Sequence, residues 1–269
     1  MSRTTELNID LSLLDHYSDS LNVFNTKNIV GLWLQGSQNY GMATEASDVD
    51  TKLLVTPTLY DLATNKKPVS TTYIRRNDEH IDFKDVREYI QLFRKQNMNF
   101  LEILFTNYYI VNGYYEEQWN RLVKYREEIA RMNPVRNVKS MYGVAAQKYH
   151  ALEHPYESKK EILKNYGYDP KQLHHLLRIE DFMKRYIEGE PYEKCLKPIE
   201  REWLISIKKG YYNLDEARVL ADRTMKHIEQ MKNDFEFGMY EKEDEIIKEL
   251  LEDVQYNIVK ISIQNEVEQ

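Results

Sequence analysis

Two aspartates in the first third of the chain are spaced for metal chemistry. Asp48 and Asp50 open a segment that alternates polar and apolar residues, the pattern of a half-buried strand. Side chains alternate across a strand, so both carboxylates and Lys52 point to one face, with the two aspartate Cα atoms about 6.6 Å apart. This spacing lets the carboxylates reach a pair of divalent ions roughly 3.5–4 Å apart. Magnesium, or manganese in its place, prefers such oxygen ligands.

A third carboxylate is needed to complete such a site, and Asp82 is the best candidate. It lies between Ile81 and Phe83, so in a strand its side chain faces away from both apolar groups. A neighbouring strand lies only about 4.8 Å away, which allows three carboxylates to converge. Glu79 and Asp85 are weaker candidates because they fall at the expected ends of the strand.

A phosphate-binding turn is predicted at Gly36 and Ser37. The apolar run 29–34 precedes them and has the composition of a buried strand. A glycine turn after a strand exposes backbone N–H groups, and a short helix starting there would add its positive end. Glycine admits a phosphate close to the backbone, and the Ser37 hydroxyl can donate to a phosphate oxygen.

Together these groups favour attack of a hydroxyl on the α-phosphorus of a nucleoside triphosphate, with pyrophosphate as the leaving group. One metal ion would lower the pKa of the attacking hydroxyl, and the other would neutralise the leaving oxygens. Asp48, Asp50 and Asp82 are therefore predicted as catalytic metal ligands, and Gly36 and Ser37 as nucleotide-binding residues.

A set of cationic side chains is predicted on one helix of the second half. Lys171, His175 and Arg178 are spaced i, i+4 and i+7, which places them on one helical face. Such a stripe suits a triphosphate tail or an RNA phosphate. Glu180 and Asp181 lie close by in sequence, so a solvated or salt-bridged face is the alternative.

The elements that must position these residues indicate an α+β fold. Short strands and helices alternate from residue 28 to about 112, which predicts a short mixed sheet. Beyond residue 115 the apolar positions recur three and four apart, which predicts an all-helical C-terminal part. Domain boundaries are therefore expected at 1–132 for the catalytic domain and 133–269 for a helical nucleotide- and substrate-binding domain. Helices are predicted near 85–95, 116–131, 135–152, 171–187, 199–209, 214–233 and 241–261.

Composition narrows the class of protein. The 269 residues are 42% hydrophobic and 30% charged, which is typical of globular proteins. Cys195 is the only cysteine, so an intramolecular disulfide and a cysteine-based zinc site are excluded. We find no signal peptide and no stretch of about 20 apolar residues, so a cytoplasmic protein without membrane attachment is expected. The net charge of −7 argues against a general nucleic-acid coat but permits a local basic groove.

The motif resembles the signature of DNA polymerase β superfamily nucleotidyltransferases, in which Gly-Ser precedes Asp-x-Asp between apolar residues. Its fuller form here runs from Gly36-Ser37 through Tyr40-Gly41 to Ser47-Asp48 and Asp50. This form is similar to the branch of predicted nucleotidyltransferases associated with RNA repair. Small antitoxin-type members commonly have an arginine where this chain has Tyr40, and that departure favours the RNA-repair branch.

The resemblance extends over most of residues 29–225, although only the first motif is specific by itself. Segment 97–104 resembles the part of that branch that follows the third acidic strand. Segments 168–178 and 197–210 resemble its helical C-terminal half. The resemblance implies a polymerase-β-like fold, use of a nucleoside triphosphate such as ATP, and dependence on two magnesium ions.

The acceptor of the nucleotide is not defined by the resemblance. An RNA end, in tRNA or in RNA repair, is expected by analogy with the branch. The acidic net charge favours an alternative in which AMP or another nucleotide is moved to a small molecule or a protein. A non-catalytic nucleotide-binding module is a second alternative, against which the complete carboxylate set argues.

Overall fold

The computed structural model describes residues 3–44, 47–75, 78–154 and 160–268, with side chains described from residue 8 onward. The chain folds into two compact units. Unit 1 comprises residues 1–132 together with 243–269, and unit 2 comprises residues 133–242.

Unit 1 contains a five-stranded sheet and most of the shorter helices. Its elements in chain order are α1 (Arg3–Leu21), β1 (Ile29–Gln35), β2 (Asp50–Val55), α2 (Leu59–Ala63), β3 (Ser70–Ile74), β4 (His80–Asp85), α3 (Val86–Arg94), α4 (Met98–Leu101), β5 (Tyr109–Val111), α5 (Glu116–Lys124), α6 (Arg126–Arg131) and α13 (Glu245–Val267).

The strands lie in the order β3-β4-β2-β1-β5. Strands β2 and β4 are parallel, whereas β1 pairs antiparallel with β2 and β5, and β3 antiparallel with β4. The sheet is therefore mixed, and the predicted α+β class is confirmed at that level. The predicted segment 116–131 is divided into two helices at Tyr125.

One face of the sheet packs against α1 and forms an apolar core. Ile9 and Leu13 of α1 contact the cluster that contains Leu32, Leu53 and Ile81 from the three central strands. These strand residues occupy alternate positions, as a sheet with one buried face requires. The polar residues between them, including Asp50, Lys52 and Asp82, therefore belong to the opposite face.

The opposite face is covered along only part of its length. Trp33 of β1 packs against Trp119 of α5 with ring centroids 4.3 Å apart. Tyr89 of α3 donates from its hydroxyl to the carbonyl of Phe100 on α4 at 3.1 Å, which holds α4 beside the sheet. Burial falls along β2 from Leu54, which is 2% exposed, to Asp50, whose side chain is 29% exposed.

Unit 2 is helical in the part of the chain that the structure describes. Its helices are α7 (Pro134–Ala151), α8 (Lys160–Tyr166), α9 (Pro170–Ile187), α10 (Tyr192–Leu196), α11 (Arg201–Lys208) and α12 (Leu214–Gly238). Helix α9 packs against α7, α10, α11 and α12 and is the central element. Asp169 caps α9 ahead of Pro170, and Asn213 forms a capping box with Glu216 at α12.

The last helix, α13, belongs to unit 1, whereas the sequence assigned residues 133–269 to one helical domain. Its polar groups contact the first part of the chain. The Ser262 hydroxyl lies 2.6 Å from that of Thr56, and Lys27 donates to the carbonyl of Asn265 at 3.1 Å. Glu243, just ahead of α13, pairs with Arg94 at 3.0 Å. Periodicity predicts that a helix forms but not which core its apolar face joins.

Within the described helices, no segment is both long and apolar enough to cross a membrane.

Candidate active site

Strand register brings the glycine-serine turn and the aspartate pair to the same end of the sheet. Gln35, the last residue of β1, pairs with Asp50, the first residue of β2. Gly36 and Ser37 follow Gln35 directly, and Asp48 precedes Asp50 by two residues. Antiparallel pairing of β1 and β2 therefore places the two halves of the sequence motif side by side.

The turn itself is a single turn of 3₁₀ helix over Gly36–Gln38. Gly36 has a φ of +82°, a left-handed conformation that glycine adopts without strain, and a Cβ there would meet open space. The Asn39 side chain stabilises the turn. It donates to the Leu34 carbonyl at 2.9 Å and accepts from the Thr106 hydroxyl at 2.7 Å. The turn is therefore held in place by side chains.

Glu102 is a residue of this turn that the sequence did not single out as a site residue. It is 3% exposed, and its Oε1 accepts from the Gly36 backbone N–H at 3.2 Å. The Gly36 N–H predicted to face a phosphate thus donates to a carboxylate in this structure. Glu102 lies inside segment 97–104, so the family resemblance was the signal that could have drawn attention to it.

Asp48 and Asp50 both reach solvent. Asp48 is exposed just ahead of β2. Asp50 is 29% exposed at its side chain, and its Oδ1 accepts from the His80 backbone N–H at 2.9 Å. The His80 ring Nδ1 lies 3.6 Å from the same oxygen. Because His80 is the first residue of β4, this contact links the start of β4 to the start of β2.

Asp82 lies on the predicted face of β4, beside β2. It is in register with Lys52 of the parallel strand and with Thr72 of β3. Its Oδ1 accepts from the Thr72 hydroxyl at 2.6 Å, and its Oδ2 lies 3.6 Å from the Lys52 ammonium. The side chain is 26% exposed. Asp82 therefore shares a sheet face with Asp50 while both of its oxygens have neighbours in the protein.

Lys52 is the buried cation of this face, with a side chain only 4% exposed. It donates to Oε1 of Gln35, and its ammonium lies 4.5 Å from the centroid of the Phe100 ring. Burial lowers the pKa of Lys52 to about 8, against the opposing effect of the Asp82 charge. A lysine is rarely buried unless its ammonium is paired, and here Gln35 and Asp82 are its polar partners.

Asp48 and Asp50 offer the hard oxygen ligands that magnesium prefers. The site does not gather three carboxylates on one ion. Among the side chains described in residues 8–44, 47–75, 78–154 and 160–268, no group of three or more histidine, cysteine, aspartate or glutamate residues could hold a metal ion. Mg²⁺ commonly uses one or two protein carboxylates and takes its other ligands from water and substrate phosphates.

The two carboxylates that the sequence ranked below Asp82 have structural partners. Asp85 caps α3 by accepting from the Arg87 backbone N–H at 2.9 Å, and it pairs with the Arg87 guanidinium at 2.6 Å. Glu79 lies 2.8 Å from Arg75 and 2.9 Å from His16. These contacts explain why acidic residues stand at both ends of β4.

The three residues predicted as a cationic stripe of nucleotide ligands all lie on α9 of unit 2 and differ in exposure. Lys171 is exposed, His175 is half-buried and Arg178 is buried. Burial and the nearby Arg178 charge hold the pKa of His175 well below its ordinary value. His174 turns to another side of the helix, and its Nδ1–H donates to the Leu204 carbonyl at 2.9 Å. The nucleotide-binding role of the three stays a prediction.

No family model matches the sequence, and no curated protein matches it.

Proposed function

We propose that this protein is a magnesium-dependent nucleotidyltransferase that moves a nucleotide from a nucleoside triphosphate to a hydroxyl acceptor. The fold of unit 1 would then be a polymerase-β-like nucleotidyltransferase domain. The observation that supports the proposal is the meeting of the Gly36–Ser37 turn with Asp48 and Asp50, with Asp82 on the same face of the adjacent strand.

In this proposal each part of the site has a task. Asp48 and Asp50 would hold the two magnesium ions, which supply positive charge to the triphosphate when bound. The turn at Gly36 and Ser37 receives the phosphates, with the Ser37 hydroxyl as a donor. A bond forms between the acceptor oxygen and the α-phosphorus, and the bond from that phosphorus to the pyrophosphate oxygen breaks. Asp82 accepts the proton that the acceptor hydroxyl loses.

The acceptor we propose is an RNA end, in keeping with the resemblance to nucleotidyltransferases associated with RNA repair. The net charge of −7 favours a second candidate, transfer to a small molecule or to a protein side chain. Both candidates use the same carboxylates, so they differ in the product and not in the chemistry.

Incubation of the purified protein with magnesium, each α-labelled nucleoside triphosphate and a pool of cellular RNA tests the proposal. Label should enter RNA with the wild type and not with the Asp48→Ala, Asp50→Ala double variant. Label in protein or in small molecules would keep the enzyme class and replace the acceptor. Equal labelling by wild type and double variant would refute the assignment of the carboxylates. Binding of the triphosphate without transfer to any fraction would favour the non-catalytic module.

A further inference from the structure

The outermost strand of the sheet has one edge that faces solvent. Strand β3 pairs with β4 on one side and ends the strand order on the other. All five of its residues are exposed, including Tyr73 at 44% and Ile74 at 61%. A helix or loop packed over the edge would lower these values, so the outer edge of β3 is open.

The hydrogen bonds at the two ends of β3 show which of its backbone groups point outward. Asp85 donates to the Val69 carbonyl at 2.8 Å, and Arg75 donates to the Glu79 carbonyl at 2.9 Å. Hydrogen-bonded pairs alternate along an antiparallel ladder, so the odd-numbered residues of β3 bond to β4. The N–H and C=O groups of its even-numbered residues therefore point away from the sheet: Ser70, Thr72 and Ile74. Within the described ranges, no backbone hydrogen bond joins these groups to another segment.

Strand β3 also lacks the features that commonly protect an exposed edge from association. Its residues include no proline and no charged side chain, and its register with β4 continues without a bulge. Threonine, tyrosine and isoleucine favour strands. The cations at its ends are paired within the chain, Lys66 with Asp61 at 3.0 Å and Arg75 with Asp19 at 2.7 Å. The edge is therefore suited to accept a further strand.

The occupant must be an extended backbone, because outward N–H and C=O groups at every second residue match those of another strand. A second copy of the chain supplies such a strand in its own β3. Antiparallel pairing about a twofold axis at Thr72 sets Thr72 opposite Thr72 and Ser70 opposite Ile74, so each outward residue bonds to another. A register shifted by two residues sets Ile74 opposite Pro68, which has no N–H, or moves Ser70 past the end of the strand.

We propose that β3 is a dimerisation edge, at which two copies of this chain join their sheets through antiparallel β3 strands. The contact is self-complementary, and the uncharged strands bring no like charges together. The two five-stranded sheets become one, and both carboxylate faces lie on the same side of it. Because Asp82 is in register with Thr72, the two Asp82 residues are three strand spacings, about 14 Å, apart. The proposal does not depend on the transferase chemistry.

Analytical ultracentrifugation of the full-length protein tests the proposal. Wild type should have the mass of one chain at about 1 µM and approach that of two chains at about 100 µM, since a single strand pair is a small, weak interface. Ile74→Pro removes an outward N–H and should remain one chain throughout. Ile74→Val keeps the N–H and the strand preference and should dimerise like wild type. A wild type of one chain at every concentration would overturn the proposal, as would an Ile74→Pro variant that dimerises.

Cysteine cross-linking tests the register without the proline variant. Thr72→Cys places two thiols at the twofold axis, where the Cα atoms of a bonded pair are about 5.5 Å apart and within disulfide range. Mild oxidation should therefore cross-link Thr72→Cys into dimers. Ile74→Cys sets its thiols about 14 Å apart and should stay uncross-linked. Wild type is the control because Cys195 is buried. Failure of Thr72→Cys to cross-link would contradict the proposal.

Hydrogen exchange separates a second copy from other occupants of the edge. The amides of the three outward residues should exchange about 10-fold more slowly at high than at low protein concentration. Protection that appears only when an extended peptide of another protein is added would refute the second copy as the occupant. Label transfer by a wild type that stays one chain would count against this proposal alone, whereas a dimer without transfer would count against the proposed function alone.

Discussion

Two polar clusters lie on opposite faces of the same strand, at the adjacent residues Thr51 and Lys52. On the α1 face, the Thr51 hydroxyl lies 2.8 Å from His16 Nδ1, and His16 Nε2 lies 2.9 Å from Glu79 Oε2. On the other face, Lys52 contacts Gln35 and Asp82. Both clusters contain a buried basic group, but the carboxylate beside that group is 12% exposed on the α1 face and 26% exposed on the other face.

The difference in access separates a structural cluster from a candidate site. The His16 side chain is fully buried, and Arg75 joins its cluster by bridging Glu79 and Asp19. Such a network fixes α1 on the sheet, and its histidine has no exposed surface, although Asp19 at its edge is 33% exposed. The carboxylates near Lys52 keep about a quarter or more of their surface exposed. Proximity of histidine, threonine and glutamate alone would have suggested chemistry on the wrong face.

The largest expected effect comes from removing one charge on the open face. Asp50→Asn keeps an Oδ1 acceptor for the His80 N–H but weakens the metal site. Transfer should fall roughly 100-fold or more, because loss of even an outer-shell partner of a metal ligand costs about 10–100-fold. The free energy of unfolding should stay within about 0.5 kcal/mol of wild type. Labelled transfer and urea denaturation measure the two quantities.

The matched control for that variant is Asp10→Asn, which changes an exposed aspartate of α1. It should alter neither transfer nor stability. If the free energy of unfolding of Asp50→Asn fell far enough to explain its lost transfer by unfolding alone, Asp50 would have a structural role like that of His16. The contrast between the two faces would then be removed.

The opposite outcome is expected on the closed face. His16→Leu takes a hydrogen-bond partner from Thr51 and from Glu79 without leaving a large cavity. The free energy of unfolding should drop by about 1–3 kcal/mol, since a buried polar group loses its partner. The transfer rate per folded molecule should not change. Urea denaturation compared with the exposed-residue control His150→Leu checks the first value, and a large loss of specific transfer would show that His16 serves the site.

A smaller effect is expected from pH. Burial lowers the pKa of His16 below 6.5, although its hydrogen bond to Glu79 opposes the shift. The unfolded chain therefore binds the proton first, so the stability due to neutral His16 is complete above pH 6.5 and declines as pH falls below it. The stability difference between wild type and His16→Leu should shrink from pH 7.5 to pH 5.5. A difference that stays constant or grows would contradict a neutral, buried His16.

The strands around the site could be predicted because their residues alternate in polarity. The apolar run 29–34, the alternation from Asp48 to Val55 and the segment around Asp82 correspond to β1, β2 and β4. Helix α1 was not predicted because its buried face contains His16 and Ser20 beside Ile9 and Leu13, while Leu11 and Leu14 are exposed. The pattern of polar and apolar residues in α1 therefore does not indicate which side of the helix faces the core.

Periodicity also does not predict which unit each helix packs in. Residues 245–267 have the spacing of an amphipathic helix wherever they pack, and only the tertiary structure assigns α13 to unit 1. The partner of the Gly36 N–H was likewise not predictable from local spacing. The sequence predicts that this N–H binds a phosphate, whereas in the structure it donates to Glu102, 66 residues away along the chain.

By itself the sequence determined which side chains share a strand face, because alternation is a local property of extended backbone. It predicted one strand face for Asp48, Asp50 and Lys52, of which Asp50 and Lys52 lie in β2 while Asp48 precedes the strand, and it set Asp82 apart from its apolar neighbours. Only the tertiary structure decided that β4 lies parallel to β2 with Asp82 opposite Lys52, and that Phe100 closes over the ammonium. Strand order and the burial of a charge depend on contacts between distant segments, which local spacing does not specify.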